Sequence, residues 1–361
     1  MPRIVLAFTG GLDTSVAIPW LKERYGAEVV TVTLDLGQGR VLEEVRDRAL
    51  AAGAVRAHVL DVRDEFASGF IVRALKADAV YEDRYPMATS LGRPLIAQKL
   101  VDVAAIEQAT AVAHGGTAKG NDQIRLEVAV RALNPALTVL SPVHEWGMTV
   151  AEEREYARAR GIAVPVAEGP YSVDANLWGR AIQYGVLDDP WTEAPEDVYT
   201  LTKAPADCPD EAAYVEISFE NGVPVAINGV EMPILELIGS LGIIAGAHGV
   251  GRIDMVENRL AGTKAREIYE APAAVVLHAA HKELQKIVMT TGVDRFSRTV
   301  SLQYADTIYN GLWFTPLREA LDAFIDKVQE RVTGVIRMKL FKGDCRVVGR
   351  KSPFQPPVAT S

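Results

Sequence analysis

Residues 9–15 read Thr-Gly-Gly-Leu-Asp-Thr-Ser, and their types and spacing suit the binding of a phosphate group. Two successive glycines let backbone N–H groups approach oxygen atoms closely, and the hydroxyl side chains add further donors. Asp13, Thr14 and Ser15 are residue types that begin helices, and the N-terminus of a helix attracts anions. An ordinary strand-to-helix turn is the simpler alternative, but it needs fewer of these residues. The string therefore predicts an anion site.

The spacing of this string excludes two common nucleotide motifs. It is neither Gly-x-x-x-x-Gly-Lys-Ser/Thr nor Gly-x-Gly-x-x-Gly. It resembles instead the signature of the ATP pyrophosphatases, usually Ser-Gly-Gly-x-Asp-Ser/Thr-Ser, with Thr9 in place of the serine. The resemblance implies an enzyme that cleaves ATP between its α and β phosphates, adenylates a substrate and holds the pyrophosphate in this loop.

A second polar stretch, residues 114–125, reads His-Gly-Gly-Thr-Ala-Lys-Gly-Asn-Asp-Gln-Ile-Arg and follows a predicted short strand. Asn121 and Asp122 are suited to capping a helix, which explains part of this composition. Capping does not explain Thr117 together with Arg125. Asn121 and Arg125 lie four positions apart and share one helix face. An arginine beside an asparagine suits a substrate carboxylate, which takes bidentate hydrogen bonds.

Two further polar stretches have simple structural explanations. Residues 81–94 suit a polar loop capped by Thr89 or Ser90, and a ligand-binding role is about equally favoured by the composition. Residues 252–269 contain Glu257 and Tyr269, and a solvated loop is the safer prediction for them.

The remaining titratable groups give weaker signals. His278 and His281 lie three positions apart on a predicted helix, but a metal site needs further carboxylate or cysteine ligands nearby. Asp61, Asp64 and Glu65 suit the charged start of a helix better than a pair of catalytic carboxylates.

Composition narrows the class of protein. The 361 residues include 38 Lys+Arg and 47 Asp+Glu, a net charge of −9, which disfavours a nucleic-acid binder. Cys208 and Cys345 are far apart, match no metal spacing and are expected to be free thiols. The sequence shows no signal peptide and no run long enough to span a membrane. We therefore expect a cytoplasmic protein with no membrane or nucleic-acid partner.

The order of apolar runs predicts two domains. Up to about residue 165, strand and helix patterns alternate, with predicted strands at 4–8, 28–35, 55–61, 111–114 and 137–140. This alternation is typical of an α/β fold, a Rossmann-like parallel sheet that binds ligands at the carboxyl ends of its strands. After residue 168 the pattern becomes α+β. The predicted domains are 1–167 and 168–350, with a short tail at 351–361.

With these stretches assembled, the chain resembles argininosuccinate synthases over nearly its full length. The matching strings fall in one order along the sequence: Ala-Phe-Thr-Gly-Gly-Leu-Asp-Thr-Ser (7–15), Asp-Leu-Gly-Gln (35–38), Tyr-Glu-Asp-Arg-Tyr-Pro and Thr-Ser-Leu-Gly-Arg-Pro (within 81–94), the stretch 114–125, Tyr-Ser-Val-Asp-Ala-Asn-Leu-Trp-Gly-Arg (171–180), Gly-Arg-Ile-Asp-Met-Val-Glu-Asn-Arg (251–259), Asn-Gly-Leu-Trp-Phe-Thr-Pro (310–316) and Gly-Arg-Lys-Ser-Pro (349–353). Several separated strings are far more specific than the phosphate turn alone.

The resemblance implies a two-step ligation in arginine biosynthesis. The ureido oxygen of citrulline attacks the α-phosphate of ATP, giving citrullyl-AMP and pyrophosphate, and the amine of aspartate then displaces AMP. It implies Mg²⁺ with the phosphates, and a second domain that serves synthesis and multimerisation. It also implies a homo-oligomer, a tetramer, in which members usually continue beyond the last matching string into a C-terminal segment that packs across the assembly.

The resemblance also implies which residues contact each substrate. The implied ATP-binding residues are Ala7, Phe8, Thr9, Gly10, Gly11, Leu12, Asp13, Thr14, Ser15, Leu34 and Gly115. The implied aspartate-binding residues are Thr117, Asn121 and Asp122. The implied citrulline-binding residues are Tyr85, Ser90, Asn121, Arg125, Ser172, Ala181, Glu257 and Tyr269. The implied catalytic residues are Asp13, Arg93 and Asp122, and no side chain is assigned to the metal.

Two positions depart from the family in ways that bear on the substrate. Leu34 replaces a usual alanine beside the nucleotide, and Ala181 replaces a usual serine beside citrulline. They leave two alternatives open: a related ligase that adenylates a different ureido or amino substrate, and a catalytically silent nucleotide-binding homologue.

Overall fold

The computed structural model describes residues 1–39, 42–116, 120–163 and 170–355. Its strands are Arg3–Ala7 (β1), Glu28–Asp35 (β2), Arg56–Asp61 (β3), Ala111–Ala113 (β4), Thr138–Leu140 (β5), Ser172–Asn176 (β6), Gly179–Gln183 (β7), Ala213–Glu220 (β8), Val223–Ile227 (β9), Val230–Glu231 (β10), Arg252–Asn258 (β11), Lys264–Glu270 (β12), Gly334–Phe341 (β13) and Asp344–Lys351 (β14). Its α-helices are Leu12–Tyr25 (α1), Leu42–Ala51 (α2), Arg63–Phe66 (α3), Val72–Lys76 (α4), Ala88–Ile106 (α5), Asn121–Leu133 (α6), Pro142–Trp146 (α7), Val150–Ala159 (α8), Ile234–Ala247 (α9), Pro272–Val288 (α10), Thr291–Tyr309 (α11) and Pro316–Gln329 (α12).

The chain divides into two compact units. The first comprises Met1–Val62, Gly92–Pro170 and Asn310–Thr315, and the second comprises Arg63–Leu91, Tyr171–Tyr309 and Pro316–Ser361. The predicted boundary at residue 167 falls among residues 164–169, which lie outside the described ranges, so it stays a prediction.

The first unit is built on a five-stranded parallel sheet with strand order β3-β2-β1-β4-β5. Apolar runs such as 28–35 are buried along most of their length, as expected of strands that are covered on both faces. Because β1 and β4 are neighbours and parallel, the turns that follow them lie at the same edge of the sheet. The predicted α/β, Rossmann-like class is confirmed.

The second unit contains two antiparallel sheets. One has the order β10-β9-β8-β13-β14, and it includes two hairpins, β8–β9 and β13–β14. The other is four-stranded, with the order β11-β12-β7-β6. Helices α9 and α10 pack against each other, and α10 contacts β13 and β14. This is the α+β pattern expected after residue 168.

Some local predictions were wrong. Residues 252–269 are not a solvated loop, because Arg252–Asn258 and Lys264–Glu270 form an antiparallel pair. Alternate residues of the first strand and the last four residues of the second are buried. The long helix Thr291–Tyr309 was not anticipated. Pro19 lies within α1, which continues as an α-helix on both sides of it.

The two histidines on α10 have structural partners. His278 pairs with Asp78 at 3.2 Å, and the fully buried His281 lies 2.9 Å from the Gln329 side chain. Burial lowers the pKa of His281 to about 4, so its ring stays neutral. In the described ranges, no group of three or more His, Cys, Asp or Glu side chains could hold a metal ion, and no helix is long and apolar enough to cross a bilayer.

Candidate functional site

The phosphate turn, which we define as residues 9–15, leaves the start of α1 open to a ligand. The helix begins at Leu12, and Gly11, at the N-cap position, provides no side-chain cap among the described residues. The Thr9 and Thr14 hydroxyl oxygens lie 3.1 Å apart, and the Gly11 N–H donates to Thr9 Oγ1. A left-handed Gly10, with φ of 75°, allows this course of the backbone. The N–H groups of the first turn thus remain available to an anion.

Two predicted ATP-binding residues are mostly buried in the apolar core. Phe8 belongs to the hydrophobic cluster of the first unit, and Leu34 is a buried residue of β2. The Phe8 side chain is therefore not available to a nucleotide, and its backbone N–H and carbonyl groups bond to Val32 and Thr33. The Ser15 hydroxyl is also buried, and it has no hydrogen-bond partner among the described residues.

Gly115, which follows β4, lies directly against the phosphate turn. A Cβ atom placed on Gly115 would stand 2.7 Å from Thr14 Cγ2, closer than real Cβ contacts allow. The glycine therefore lets the turns after β1 and β4 approach each other. This brings together two predicted ATP-binding positions that are a hundred residues apart in sequence.

Replacing Gly115 with alanine should raise the KM for ATP about tenfold, or about 1.4 kcal/mol of binding. The added methyl group must push Thr14 out of the phosphate turn. Steady-state kinetics with ATP as the varied substrate measure the change. Gly69→Ala is the control, since a Cβ at Gly69 meets no atom within 4 Å. An unchanged KM for ATP in Gly115→Ala would contradict the role of this contact.

A second cluster in the first unit joins Asp122 to two arginines. Arg93 Nη2 donates to Asp122 Oδ2 at 2.7 Å, and Arg125 Nη1 donates to Asp122 Oδ1 at 3.2 Å. Burial alone would raise the pKa of Asp122, but the Arg93 and Arg125 guanidinium groups outweigh it and hold that pKa well below its usual range. Asp122 is therefore a carboxylate at neutral pH.

The helix that carries Asp122 shows why capping does not explain it. Helix α6 begins at Asn121, after Gly120, and no side chain caps it in the part of the chain that the structure describes. The Asp122 side chain accepts hydrogen bonds from Arg93 and Arg125 and does not cap the helix. Thr117, the third predicted aspartate-binding residue, lies outside the described residues.

Asp13 has a partner that the sequence did not reveal. Glu153, in the first turn of α8, is buried, and it accepts a hydrogen bond from the Trp146 indole N–H at 3.2 Å. Burial and the neighbouring Asp13 carboxylate raise the pKa of Glu153 to about 7. The two carboxyl groups are 140 positions apart, and no local pattern links them.

In the second unit, four of the predicted citrulline-binding residues share one face of the four-stranded sheet. Ala181 stands opposite Tyr269 on β12 and opposite Asp174 on β6. Ser172 lies two positions before Asp174, and Glu257 stands opposite Ala265, four positions before Tyr269. Since directly opposite residues share a face and side chains alternate along a strand, Ser172, Ala181, Glu257 and Tyr269 all lie on it.

Glu257 is the centre of a group of tyrosines on this face. Glu257 is only 4% exposed. Each of its carboxylate oxygens accepts a hydrogen bond from one tyrosine hydroxyl, from Tyr269 at 2.7 Å and from Tyr309 at 2.8 Å. The ring of Tyr85 stacks on Tyr269 with centroids 3.9 Å apart. Burial first, and then the neighbouring Tyr85 and Glu257, raise the pKa of Tyr269 well above 10, so it donates as a neutral phenol.

Ser90 follows Tyr85 by five positions in the sequence. It lies in the first turn of α5, and its buried hydroxyl has no hydrogen-bond partner within the described ranges. The backbone N–H of Thr89 donates to the Tyr85 hydroxyl at 3.0 Å. Ser90 therefore offers a polar atom that the described part of the fold does not satisfy.

Two family models match the chain. The Arginosuccinate synthase N-terminal HUP domain matches residues 3–163, and the Arginosuccinate synthase C-terminal domain matches residues 171–355. The chain is 52% identical to the argininosuccinate synthase of Geobacillus thermodenitrificans over 98% of its own length and 87% of the relative. It is 55% identical to that of Symbiobacterium thermophilum, with 98% and 88% covered, and 53% identical to that of Rubrobacter xylanophilus, with 97% and 86% covered.

Proposed function

The chain belongs to the argininosuccinate synthase family, and from that premise we propose which of its residues bind each substrate. It is an ATP-dependent carbon–nitrogen ligase. The family joins citrulline to aspartate in arginine biosynthesis, with ATP as the activating substrate. The ureido carbon of citrulline is a poor electrophile, and transfer of AMP to its oxygen supplies a leaving group. The protein contributes chiefly position and charge stabilisation.

The phosphate turn holds the β and γ phosphates of ATP, which leave as pyrophosphate. The open start of α1 supports this role, because its first N–H groups and its dipole favour anions. Thr9, Thr14 and Ser15 add hydroxyl donors, and Gly115 gives the phosphate turn the room that it needs.

Asp122 and the arginines around it serve the aspartate and the reacting phosphate. A carboxylate held by two arginines is fixed in orientation, and its remaining lone pairs suit the ammonium group of aspartate. Arg93 donates to Asp122, and its guanidinium charge suits the negative charge that develops on the α-phosphate. Asn121 and Thr117 complete the aspartate site, and the contacts of Asn121 and Arg125 with citrulline stay predictions from the family.

The second unit binds citrulline through Glu257. The observation that carries this proposal is a buried carboxylate, held by two phenols, on the sheet face that also bears Ser172, Ala181 and Tyr269. A carboxylate is an acceptor only, so its remaining lone pairs suit the N–H groups of citrulline. Tyr85 stacks on Tyr269 and offers an aromatic surface to the ligand. Ser90, five positions further along the chain, offers one more polar atom.

Three further features belong to the same proposal. Mg²⁺ would neutralise phosphate charge, and we propose that the phosphates of ATP bring it to the site, with no side chain assigned to it. A homotetramer follows from the family alone. A cytoplasmic location suits the net charge and the free cysteines Cys208 and Cys345.

The citrulline assignment predicts that Glu257→Gln raises the KM for citrulline by about tenfold or more, because a hydrogen bond to a charged group contributes about 1.5–3 kcal/mol. The assay is ATP–pyrophosphate exchange with citrulline and without aspartate, which isolates the first step. The KM for ATP in the same assay should change less than about twofold, or about 0.4 kcal/mol, because Glu257 is not among the proposed ATP-binding residues.

The same exchange assay separates the two alternatives. Exchange that needs some other ureido or amino compound in place of citrulline would favour a related ligase of different specificity. ATP binding without exchange, whatever the second substrate, would favour a catalytically silent homologue. Exchange with citrulline, followed by product formation when aspartate is added, supports the proposed function.

A further inference from the structure

Tyr309, at the end of α11, contacts the same carboxylate as Tyr269, and neither the sequence patterns nor the family resemblance assigned it a role. We propose that Tyr309 is a positioning residue for Glu257, and that the turn Tyr81–Tyr85 holds both phenols against that carboxylate. The proposal deepens the citrulline assignment and rests on it.

The hydrogen bonds define the first part of the proposal. Tyr309 is buried, and its hydroxyl donates to Glu257 Oε1 at 2.8 Å, while Tyr269 donates to Oε2 at 2.7 Å. One phenol on each oxygen prevents the carboxylate from rotating about its last bond. Each oxygen accepts about two hydrogen bonds, so one lone pair on each stays directed toward a ligand.

Ring stacking defines the second part. Tyr81 stacks on Tyr309, with ring centroids 3.6 Å apart and planes within 4°. The Tyr81 hydroxyl donates to the carbonyl oxygen of Asn258, the residue that follows Glu257, at 2.9 Å. Tyr81 thus fixes the ring of Tyr309 and the end of the strand that carries Glu257.

The two tyrosines that end the turn Tyr81–Tyr85 each stack on one of the tyrosines that donate to Glu257. It is closed by reciprocal backbone hydrogen bonds of 2.8 and 2.9 Å between Tyr81 and Tyr85. Tyr81 covers Tyr309, and Tyr85 covers Tyr269 with centroids 3.9 Å apart. Each phenol that donates to Glu257 is therefore held by one tyrosine of this turn.

A hydrogen bond from a citrulline N–H to Glu257 depends on the orientation of the carboxylate. Removing the Tyr309 hydroxyl leaves the Glu257 side chain in place, with Tyr269 still bonded to it, but free to turn toward other donors. The loss should fall on citrulline binding and not on ATP or aspartate, whose proposed residues lie elsewhere in the sequence.

The test compares Tyr309→Phe with a matched control on the same helix. Tyr304 is also buried, and its hydroxyl donates to the Asp322 carboxylate at 2.6 Å, so Tyr304→Phe removes a similar bond without touching Glu257. In citrulline-dependent ATP–pyrophosphate exchange, Tyr309→Phe should raise the KM for citrulline about 5- to 10-fold, less than the loss of a direct hydrogen bond to a charged group, because Tyr309 acts through Glu257. Its KM for ATP, and both KM values of Tyr304→Phe, should stay within about twofold.

The results separate failure of this inference from failure of the proposed function. If Glu257→Gln raises the KM for citrulline and Tyr309→Phe does not, Tyr309 has no positioning role, and the citrulline assignment stands. If Tyr304→Phe raises that KM as much as Tyr309→Phe, the effect is one of general packing and the inference is overturned. If neither Glu257→Gln nor Tyr309→Phe changes it, the assignment of citrulline to Glu257 falls as well.

Discussion

Replacing Asp122 with asparagine should lower the rate of argininosuccinate formation by about 100-fold or more, the range found when one group that positions charge at a reacting centre is removed. Asp122 accepts hydrogen bonds from Arg93 and Arg125 on separate oxygens. An amide offers one acceptor atom and presents an NH₂ group to the other guanidinium. Both arginines then lose the charge that orients them, and aspartate loses the partner of its ammonium group.

ATP binding should survive the same substitution. The phosphate turn owes its hydrogen bonds to Thr9, Thr14 and backbone groups, none of which involves Asp122. Equilibrium binding of ATP, measured by calorimetry beside the rate of product formation, distinguishes the two effects. Asp47→Asn is a suitable control, because Asp47 is an exposed partner of Arg46 on α2. Unchanged turnover in Asp122→Asn would remove Asp122 from the active site.

Replacing Gly311 with alanine should lower the free energy of unfolding by about 3 kcal/mol, the sum of about 1–2 for a left-handed residue and about 1–3 for overpacking. Gly311 has φ of 75°, and a Cβ there would stand 2.7 Å from the Cα atom of Arg125. Backbone atoms cannot move aside as the end of a side chain can. Activity should fall too, because Arg125 is one of the two partners of Asp122.

A second glycine, Gly26, distinguishes the cost of a left-handed backbone from the cost of a steric clash. Gly26, which ends α1, is left-handed with φ of 59°, and a Cβ there would meet no atom within 4 Å. Gly26→Ala should therefore cost only about 1 kcal/mol, the conformational part. Urea unfolding curves of the two variants give the difference directly. Equal losses in both would show that the contact with Arg125 carries no energy.

The parallel sheet could be predicted because its signals are local. The run 28–35 is rich in valine and threonine, and the turns around it are marked by Gly26 and Gly37. Strand β11 was missed because its buried face includes a charge: Ile253, Met255 and Glu257 alternate inward, and the last of these reads as solvent-exposed. A buried carboxylate is stable only with donors, and the donors of Glu257 come from β12 and α11.

Most of the site contacts that the sequence did not predict join residues that are far apart along the chain. The bond between Tyr309 and Glu257 joins residues 52 positions apart, and Glu153 lies 140 positions from Asp13. Periodicity and capping rules describe neighbours within a few residues, so they carry no information about such pairs. The family resemblance identified Glu257 and Asp13 as site residues, but not Tyr309 or Glu153, which only the tertiary structure brings to them.

The turn Tyr81–Tyr85 contains two adjacent residues, Glu82 and Asp83, with φ of 48° and 60°, a conformation that L-residues adopt at a cost of about 1–2 kcal/mol each. The fold sustains that strain through the paired rings and through Asn258, whose side chain donates to Glu82. The strained turn is therefore already formed before any ligand arrives. Under the proposed assignment, citrulline meets a carboxylate whose orientation is already fixed, so its binding need not offset the conformational entropy of ordering a loop.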